Sequence, residues 1–375
     1  MARASRGAGP VGVAVVGCGT ISNQYLANLT SFPDLCVLFC ADLDLERAKA
    51  QAAEYGVPEA GTVAQALSRP DVEIVVNLTI PAAHAGVISA ALAAGKNVWT
   101  EKPLALDTAT GERLLAEADR AGLLLGCAPD TGLGAGLQTA RRLIDSGRIG
   151  VPQAALALMQ GPGPERWHPD PMFLFQRGAG PVFDFGPYYL SWLATLFGPA
   201  EQVAAVGRRS RDTRVIARGP KAGTEFPVEV CTHFSALIEY EQGPVATLVL
   251  SFESPLSRHG FVEITGTEAT LALPDPNRFN GELRLRTADA DEWEIVPAVG
   301  PADGRGLGVL DMARVLRHGG SLRAPGELGL HVLETMEAIE RSVAAHAFEP
   351  VRSSFDLPAT LDPDWDPKAQ TLRSA

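Results

Sequence analysis

Short apolar runs alternate with amphipathic segments through the first 128 residues, and this alternation restricts the fold more than any other feature of the chain. The run EIVVNL (73–78) is almost continuously apolar, which is typical of a strand covered by helices on both faces. Alternation of this length predicts a doubly wound parallel α/β sheet. The predicted strands are Val11–Val16, Cys36–Ala41, Val72–Leu78, Asn97–Thr100 and Leu123–Cys127, and the predicted helices are Ile21–Leu29, Leu45–Tyr55, Val63–Leu67, Ala82–Ala94 and Thr108–Ala121.

The pattern changes after about residue 128. A helix at 137–147 and a strand at Pro152–Gln160 precede a loop rich in proline, glycine and aromatic residues that runs to about Gly180. Period-two alternation from Val203 to Val296, broken by turn sequences, predicts a large, mostly antiparallel open sheet. Helices around Val309–His318 and Leu328–Ala345 follow. The predicted organisation is therefore a first domain at 1–128, a second α+β domain at 129–355 and an irregular tail at 356–375.

Composition restricts the partners and the location. At 375 residues the chain is long enough for two domains, and its net charge of −12 argues against nucleic acid and anionic membranes. A small-molecule partner is expected instead. The basic N-terminus has no apolar segment after it, so no signal peptide is predicted, and no apolar run is long enough to span a bilayer. The five cysteines form no CxxC pair, which favours free thiols in the cytoplasm. No metal-ligand spacing is evident.

A glycine loop directly follows the first predicted strand. Gly17-Cys18-Gly19 and the next residues, Thr20 and Ile21, lie between that strand and the first helix. There the glycines permit a tight turn and let backbone N–H groups approach a pyrophosphate at the helix N-terminus. Asp42 ends the second strand about twenty residues later, where a carboxylate accepts hydrogen bonds from ribose hydroxyls. This arrangement predicts NAD rather than NADP. Asp44 is an alternative for the same role, and a helix N-cap is the alternative role for Asp42.

Two further segments carry candidate catalytic residues. Glu101-Lys102-Pro103 ends a parallel strand, and ligands of open α/β sheets bind outside the carboxyl ends of the strands. The segment GAGPVFDFGPYYL (178–190) has a glycine-rich entry and then a predicted helix that begins with Asp184, Gly186 and Tyr188. Alternative roles remain open for each: a solvated strand-end lysine, a helix N-cap for Asp184, and a core position for Tyr188 with Tyr189 at the site.

Residues 11–345 resemble the Gfo/Idh/MocA family of nicotinamide-dependent oxidoreductases. The resemblance rests on the glycine loop, NLTIPAAH (77–84), EKP (101–103), RRLIDSGRIG (141–150) and the D-x-G-x-x helix start. It implies a Rossmann domain for NAD, and catalytic roles for Lys102, Asp184 and Tyr188. Tyrosine stands where most members have histidine, as in the glucose–fructose oxidoreductase and dihydrodiol dehydrogenase branches. Asp130 takes the place of a common asparagine, and an arginine–phenylalanine pair that many members have after it is missing. The cofactor site is expected to include Gly17, Gly19, Thr20, Ile21, Asp42, Thr79, His84, Glu101, Lys102 and Asp130.

The resemblance predicts an NAD-dependent dehydrogenase or reductase that acts on a secondary hydroxyl or ketone of a sugar, sugar derivative or cyclitol. Lys102, His168, Asp184 and Tyr188 are the predicted substrate contacts, with His168 on the loop of RWHPDP (166–171). A homodimer or homotetramer through the C-terminal sheet is also expected. Two alternatives stay open: a non-catalytic NAD-sensing regulator on the same scaffold, and a dehydrogenase of a non-carbohydrate diol.

Overall fold

The structure, a computed structural model, describes residues 7–373 and divides the chain into two compact units. The first, here called the Rossmann unit, contains the chain up to Gln138, Val299–Leu330 and the segment from Pro358. The second, here called the sheet unit, contains Thr139–Ala298 and His331–Leu357. Most of the basic N-terminal segment that was considered as a signal peptide lies outside the described residues.

Eleven strands and helices in the first part of the chain build the core of the Rossmann unit. They are β1 (Val11–Val16), α1 (Ser22–Leu29), β2 (Leu35–Ala41), α2 (Leu45–Tyr55), β3 (Glu59–Gly61), α3 (Val63–Ser68), β4 (Ile74–Asn77), α4 (Pro81–Ala93), β5 (Asn97–Thr100), α5 (Thr108–Ala121) and β6 (Leu125–Cys127). The strands pair in parallel in the order β3-β2-β1-β4-β5-β6. The order reverses between β1 and β4, which is where such sheets bind dinucleotides.

The remaining elements contribute mainly to the sheet unit. They are α6 (Ala135–Asp145), β7 (Pro152–Gln160), α7 (Gly180–Phe197), β8 (Ala200–Arg208), β9 (Thr213–Val215), β10 (Glu225–Pro227), β11 (His233–Tyr240), β12 (Val245–Ser251), β13 (Arg258–Gly266), β14 (Ala269–Leu273), β15 (Leu283–Thr287), β16 (Glu294–Val296), α8 (Leu307–His318), α9 (Gly326–Ala345) and β17 (Glu349–Pro350). Of these, α8 belongs to the Rossmann unit. Nine strands form one sheet in the order β16-β15-β14-β13-β7-β12-β11-β8-β17, antiparallel except for the β7–β12 pair.

Alternating burial along the strands of the large sheet explains why it has one covered and one open face. In β11 and β12, every second side chain is buried and its neighbours are half-buried or exposed. The buried set includes Phe234, Ile238 and Leu248, and α7 packs against this face. Because side chains of a strand point alternately to the two faces, a period of two is the pattern of a sheet covered on one side.

The predicted fold class is confirmed: a doubly wound parallel sheet is followed by a large, mostly antiparallel one. Strand β3 was not predicted because its sequence, EAG, contains no β-branched or aromatic residue. It forms because β2 offers it an edge to pair with. No helix within residues 7–373 has the length and apolarity that a membrane crossing requires.

The C-terminal segment was predicted to be irregular, and it contains no helix or strand up to residue 373, yet it is bound tightly. The Asp34 carboxylate, which is fully buried before β2, accepts hydrogen bonds from the backbone N–H groups of Thr371 and Leu372, both at 2.8 Å. The Thr371 hydroxyl at 2.6 Å and the Arg314 guanidinium at 2.9 Å also donate to it. Burial raises the pKa of Asp34, but these four donors outweigh burial and bring the pKa below its usual value.

This contact predicts that the tail contributes to the stability of the Rossmann unit. Asp34→Ala leaves the buried Arg314 cation and two N–H groups without their acceptor, so we expect a loss of about 3 kcal/mol in the free energy of unfolding. Thr371→Val removes one donor and is expected to cost about 1 kcal/mol. Urea denaturation of the full chain measures both. Asp364→Ala, on an exposed turn of the same tail, is the matched control. Equal denaturation midpoints for Asp34→Ala and wild type would show that the tail contributes nothing.

Candidate active site

The glycine loop forms the turn that the sequence predicts at the carboxyl end of β1. Gly17 has a φ of +95°, and a Cβ there would lie 2.7–2.8 Å from backbone atoms of Leu78 and Thr79. Only glycine fits this position. A Cβ at Gly19 would meet no atom within 4 Å, so open space lies next to the loop. No side chain caps the N-terminus of α1, whose first N–H group, that of Ser22, donates to the Gly19 carbonyl at 3.0 Å.

Asp42 connects the end of β2 to the glycine loop. One carboxylate oxygen accepts a hydrogen bond from the Cys18 N–H at 2.7 Å, and the other accepts one from the Asp44 N–H at 2.9 Å. Asp44 itself is the N-cap of α2, because its side chain accepts hydrogen bonds from Glu46 N–H and Arg47 N–H. The structure therefore assigns the helix cap to Asp44 and leaves Asp42, with 11% of its side chain exposed, beside the loop.

A polar network joins the carboxyl ends of β4 and β5. The Asn77 amide, fully buried, donates to the Thr100 hydroxyl at 3.1 Å, and its oxygen accepts from the Thr79 hydroxyl at 2.7 Å. The buried His84 ring lies 3.0 Å from the Thr79 carbonyl and 2.7 Å from the Pro103 carbonyl. Burial lowers the pKa of His84, and the two carbonyls and Glu101 oppose this shift. His84 thus holds the loop after β4 against the turn after β5.

Glu101 is buried directly after β5, and two hydrogen-bond donors hold its carboxylate. The Tyr25 hydroxyl of α1 donates to one carboxylate oxygen at 2.8 Å, and the indole N–H of Trp99 donates to the Tyr25 oxygen at 3.3 Å. The backbone N–H of Lys102 donates to the other carboxylate oxygen at 3.1 Å. Lys102 is half-buried, directly after this anchored glutamate. The Glu101 carboxylate therefore shapes the turn that carries the lysine.

Asp130 is fully buried and anchors a distant segment of the chain. One of its oxygens accepts hydrogen bonds from the N–H groups of Gly306 at 2.8 Å and Gly308 at 3.2 Å. Its other oxygen lies 4.0 Å from the Arg305 guanidinium, which lies equally far from Glu101. Burial raises the pKa of Asp130 to about 6, while Arg305 and the two N–H groups lower it. With no exposed surface, Asp130 can affect a bound cofactor only through its neighbours.

In the sheet unit, α7 presents Asp184 and Tyr188 one turn apart, so both lie on one face of the helix. Pro181 stands in the first turn, and the preceding residues Gly178 and Gly180 have positive φ values, so the glycine-rich entry is a tight approach to the helix. The neighbouring Tyr189, also on α7, is instead hydrogen-bonded to the backbone of the large sheet. Its hydroxyl accepts a hydrogen bond from Gly260 N–H at 2.8 Å and donates to the Leu158 carbonyl at 3.3 Å.

The loop at 161–179 carries two exposed rings and the half-buried ring of His168, and a buried cation fastens it. The His168 ring lies 5.5 Å from Trp167 and 5.5 Å from Phe173, in edge contacts, and both of these aromatic side chains are more than half exposed. Its Nδ1 accepts a hydrogen bond from Asp170 N–H. Phe175 of the same loop, whose ring the sequence also made available to an apolar substrate together with Trp167 and Phe173, is instead fully buried against Phe226 and Phe252.

Arg214, on β9, is the buried cation beneath this loop. Its guanidinium lies 2.6 Å from Glu165 of the loop and 2.7 Å from Glu253 after β12. It also lies over the Phe175 ring, 5.2 Å from the centroid. Only 2% of the Arg214 side chain is exposed, and a buried charge of this kind requires partners on every side. The base of the loop is thereby fixed to the sheet.

Four residues of these networks were not predicted from the sequence: Tyr25, Asn77, Arg214 and Arg305. Asn77 stood in the quoted strand end NLTIPAAH, and its position before a helix was the only available signal. Tyr25 and Arg305 come from segments far from Glu101 in the chain, so no local spacing points to them. Among residues 7–373, no cluster of three or more His, Cys, Asp or Glu side chains is arranged to hold a metal ion.

Comparisons with known proteins agree with this geometry. Residues 11–128 match the family model described as the oxidoreductase family, NAD-binding Rossmann fold, and residues 137–272 match the GFO/IDH/MocA C-terminal domain. Trans-1,2-dihydrobenzene-1,2-diol dehydrogenase from Bos taurus is 26% identical over 350 residues, which cover 92% of this chain and 96% of that protein. D-apiose dehydrogenase from Paraburkholderia graminis is 25% identical over 343 residues, covering 87% and 85% of the two chains.

A solved structure, that of levoglucosan dehydrogenase in complex with NADH and L-sorbose, superposes with a TM-score of 0.80 over 92% of this chain and 100% of the other, at 21% identity. This likeness shows a common fold. Together the two family models cover both the dinucleotide-binding part and most of the large sheet. The chain belongs to the GFO/IDH/MocA family of NAD-binding oxidoreductases.

Proposed function

We propose that this oxidoreductase transfers a hydride between NAD and a secondary hydroxyl or ketone of a sugar, sugar derivative or cyclitol. The observation that carries the proposal is the anchored turn Glu101-Lys102-Pro103 at the carboxyl edge of a NAD-binding sheet. Two relatives named for a sugar and a diol, D-apiose dehydrogenase and dihydrodiol dehydrogenase, support a polyhydroxylated substrate.

The residues at the β1–β4 edge fit a dinucleotide. We propose that the N–H groups of Gly19, Thr20 and Ile21 bind the pyrophosphate at the start of α1, where open space lies next to Gly19. Asp42 would accept hydrogen bonds from the ribose hydroxyls. The loops that contain Gly17, Thr79 and Glu101 would border the nicotinamide end, with His84 of α4 holding two of them together. When bound, NAD supplies the acceptor for the hydride.

The proton requires a base in the protein. We assign its transfer to Lys102 or Tyr188, and the orientation of Tyr188 to Asp184 one turn earlier on α7. A free tyrosine has a pKa of about 10, so a tyrosine base near neutral pH needs a shift of about 3 units, on the order of 4 kcal/mol. A nearby ammonium group in a desolvated site supplies a stabilisation of this kind. Tyr189 is unsuited to the role because its hydroxyl is engaged by the sheet backbone and burial raises its pKa.

A non-carbohydrate diol is the second candidate substrate. The exposed rings of Trp167 and Phe173 and the half-buried ring of His168 favour it, because they offer an apolar surface to a ring-shaped substrate. The same surface fits the apolar face of a sugar, with His168 available for a hydroxyl. A screen of NADH formation over sugars, inositols and cyclic diols decides between them. Binding of NADH without turnover of any compound would favour the regulatory alternative.

We also propose that the chain assembles as a homodimer or homotetramer through the open face of the large sheet. Leu156 and Leu237, together with Val206 and Val245, are 39–56% exposed on strands of this sheet. An apolar face of this kind is typical of a protein–protein interface. Light scattering during size-exclusion chromatography measures the molar mass of the assembly.

The five cysteines form no disulfide bond, which fits a cytoplasmic location.

Lys102→Ala is expected to lower turnover at least a hundredfold and to leave NADH binding within a few-fold of wild type, because the lysine acts on the proton rather than on the dinucleotide. Steady-state kinetics and a fluorescence titration with NADH measure the two effects. Lys49→Ala, at an exposed position on α2, is the matched control. Wild-type turnover in Lys102→Ala would refute the assignment.

Tyr188→Phe separates the two candidate bases. If Tyr188 transfers the proton, the substitution lowers kcat at least a hundredfold, because the hydroxyl that exchanges the proton is lost. Tyr189→Phe is the comparison: it removes the hydroxyl that binds the sheet backbone, so we expect a lower melting temperature but retained turnover. A fully active Tyr188→Phe variant would assign the proton transfer to Lys102.

Asp42→Ser is expected to shift cofactor preference towards NADP by at least tenfold in the ratio of dissociation constants. The carboxylate repels a 2′-phosphate, and Arg47, whose guanidinium lies 4.0 Å from it, would face the phosphate once the acid is gone. Parallel titrations with NADH and NADPH measure the ratio. Asp44→Ser, which alters the cap of α2 and the Asp44–Arg47 ion pair but keeps the Asp42 carboxylate, should leave the ratio unchanged. An unchanged ratio in Asp42→Ser would exclude Asp42 as the selecting residue.

A further inference from the structure

A buried arginine lies beside the two carboxylates at the end of β5 and β6. The Arg305 side chain is 8% exposed, and its Nη1 lies 4.0 Å from an oxygen of Glu101 and 4.0 Å from an oxygen of Asp130. The exposed fractions of these two partners are 10% and 0%. Three charges are thus concentrated where water is largely excluded, and their interactions are strong.

The backbone of the rest of the Rossmann unit fixes the position of Arg305. The Asn28 amide of α1 donates to the carbonyls of Asp303 at 3.1 Å and Arg305 at 2.8 Å. On the other side, Asp130 accepts hydrogen bonds from Gly306 and Gly308. The guanidinium therefore points at the carboxylates because the backbone on both sides of residue 305 is held.

The charge of the carboxylate pair depends on this cation. Burial raises the pKa of Asp130 to about 6, Arg305 opposes the rise, and the charge of Glu101 adds to it. Two buried carboxylates so close to each other cannot both remain ionised without compensation. Arg305 keeps its proton at all physiological pH values, so it supplies that compensation permanently.

The backbone of Lys102 is hydrogen-bonded to one member of this carboxylate pair. The backbone N–H of Lys102 donates to Glu101, whose carboxylate is the one that Arg305 approaches. The other titratable groups around Glu101 and Lys102 in this unit are His84, Tyr25 and Cys127. Burial lowers the pKa of His84 and raises the pKa values of Tyr25 and Cys127, so all three are neutral near pH 7. The charges that remain beside the Glu101–Lys102 turn in this unit are those of Glu101, Asp130 and Arg305.

We propose that Arg305 is a positioning residue for Lys102: it neutralises the buried Glu101 and Asp130 carboxylates and thereby sets the proton affinity of the Lys102 amine. This inference deepens the proposed function and rests on it, because the proton affinity of Lys102 matters only if the residue takes part in proton transfer. Without Arg305, the excess negative charge stabilises the ammonium form. The amine would then become available only at higher pH.

The test measures the ionisation of Lys102 without any turnover. The holoprotein, with NADH bound, is labelled with acetic anhydride across a range of pH, and mass spectrometry gives the labelling rate of Lys102 relative to the exposed Lys49 in the same molecules. We expect Arg305→Gln to raise the labelling midpoint of Lys102 by about one pH unit, which is a tenfold lower rate at a fixed pH below the midpoint. Asp130→Asn should lower the midpoint, because it removes one negative charge.

The double variant provides the decisive comparison. Asp130→Asn combined with Arg305→Gln removes one charge of each sign, so its midpoint should return to that of wild type. Arg305→Lys retains the charge and should also match wild type. Arg317→Gln is the matched control: this arginine is equally buried in the same unit, but it pairs with Glu73 at the opposite end of β4. A purely structural role for Arg305 would not produce this order of midpoints.

Two results would overturn the proposal. One is a midpoint in Arg305→Gln equal to that of Arg317→Gln and wild type; the other is a double variant that stays shifted. If Arg305→Gln does not fold, a midpoint in Asp130→Asn equal to wild type is sufficient to overturn it. These outcomes are separate from the proposed function: absence of turnover in wild type would reject the enzymatic role, whereas the labelling order tests Arg305 in either case.

Discussion

Polar side chains buried at the carboxyl edge of the parallel sheet impose the main constraint on the Rossmann unit. Asn77, Thr100 and Glu101 are each 8% exposed or less, at the ends of adjacent strands, and Asp130 follows the end of the next strand. A buried polar group without a partner costs about 1–3 kcal/mol, so each one requires a donor, an acceptor or a counter-ion inside the protein. The helices and loops around this edge supply them.

This requirement explains why segments far apart in the chain meet there. Tyr25 comes from α1, His84 from α4, and Arg305 from the segment before α8. Tyr25 binds the Glu101 carboxylate, and the His84 ring binds the Pro103 carbonyl. Arg305 places a positive charge beside Glu101. A reactive lysine needs a rigid turn more than it needs many direct contacts, because proton transfer depends on position to within fractions of an ångström.

The same principle recurs in the sheet unit with a different purpose. Arg214, buried between Glu165 and Glu253, binds the base of a loop whose outer part exposes Trp167 and Phe173 beside the half-buried His168. A loop built in this way has a rigid base and an exposed tip.

Periodicity and short motifs in the chain were sufficient for the architecture and for the ends of the parallel strands. Period-two and helical patterns depend on neighbours a few residues apart, and so do the glycine loop and EKP, so they are visible without coordinates. The start of α7 was predicted at Asp184, but the helix begins four residues earlier, at Gly180. The choice of Asp44 rather than Asp42 as the helix cap, of Tyr189 rather than Tyr188 as the sheet anchor, and the burial of Phe175 appeared only in three dimensions. The roles of Asp130 and Arg305 lay furthest from prediction: 175 residues separate them along the chain, and only tertiary packing brings a buried carboxylate and its counter-ion together.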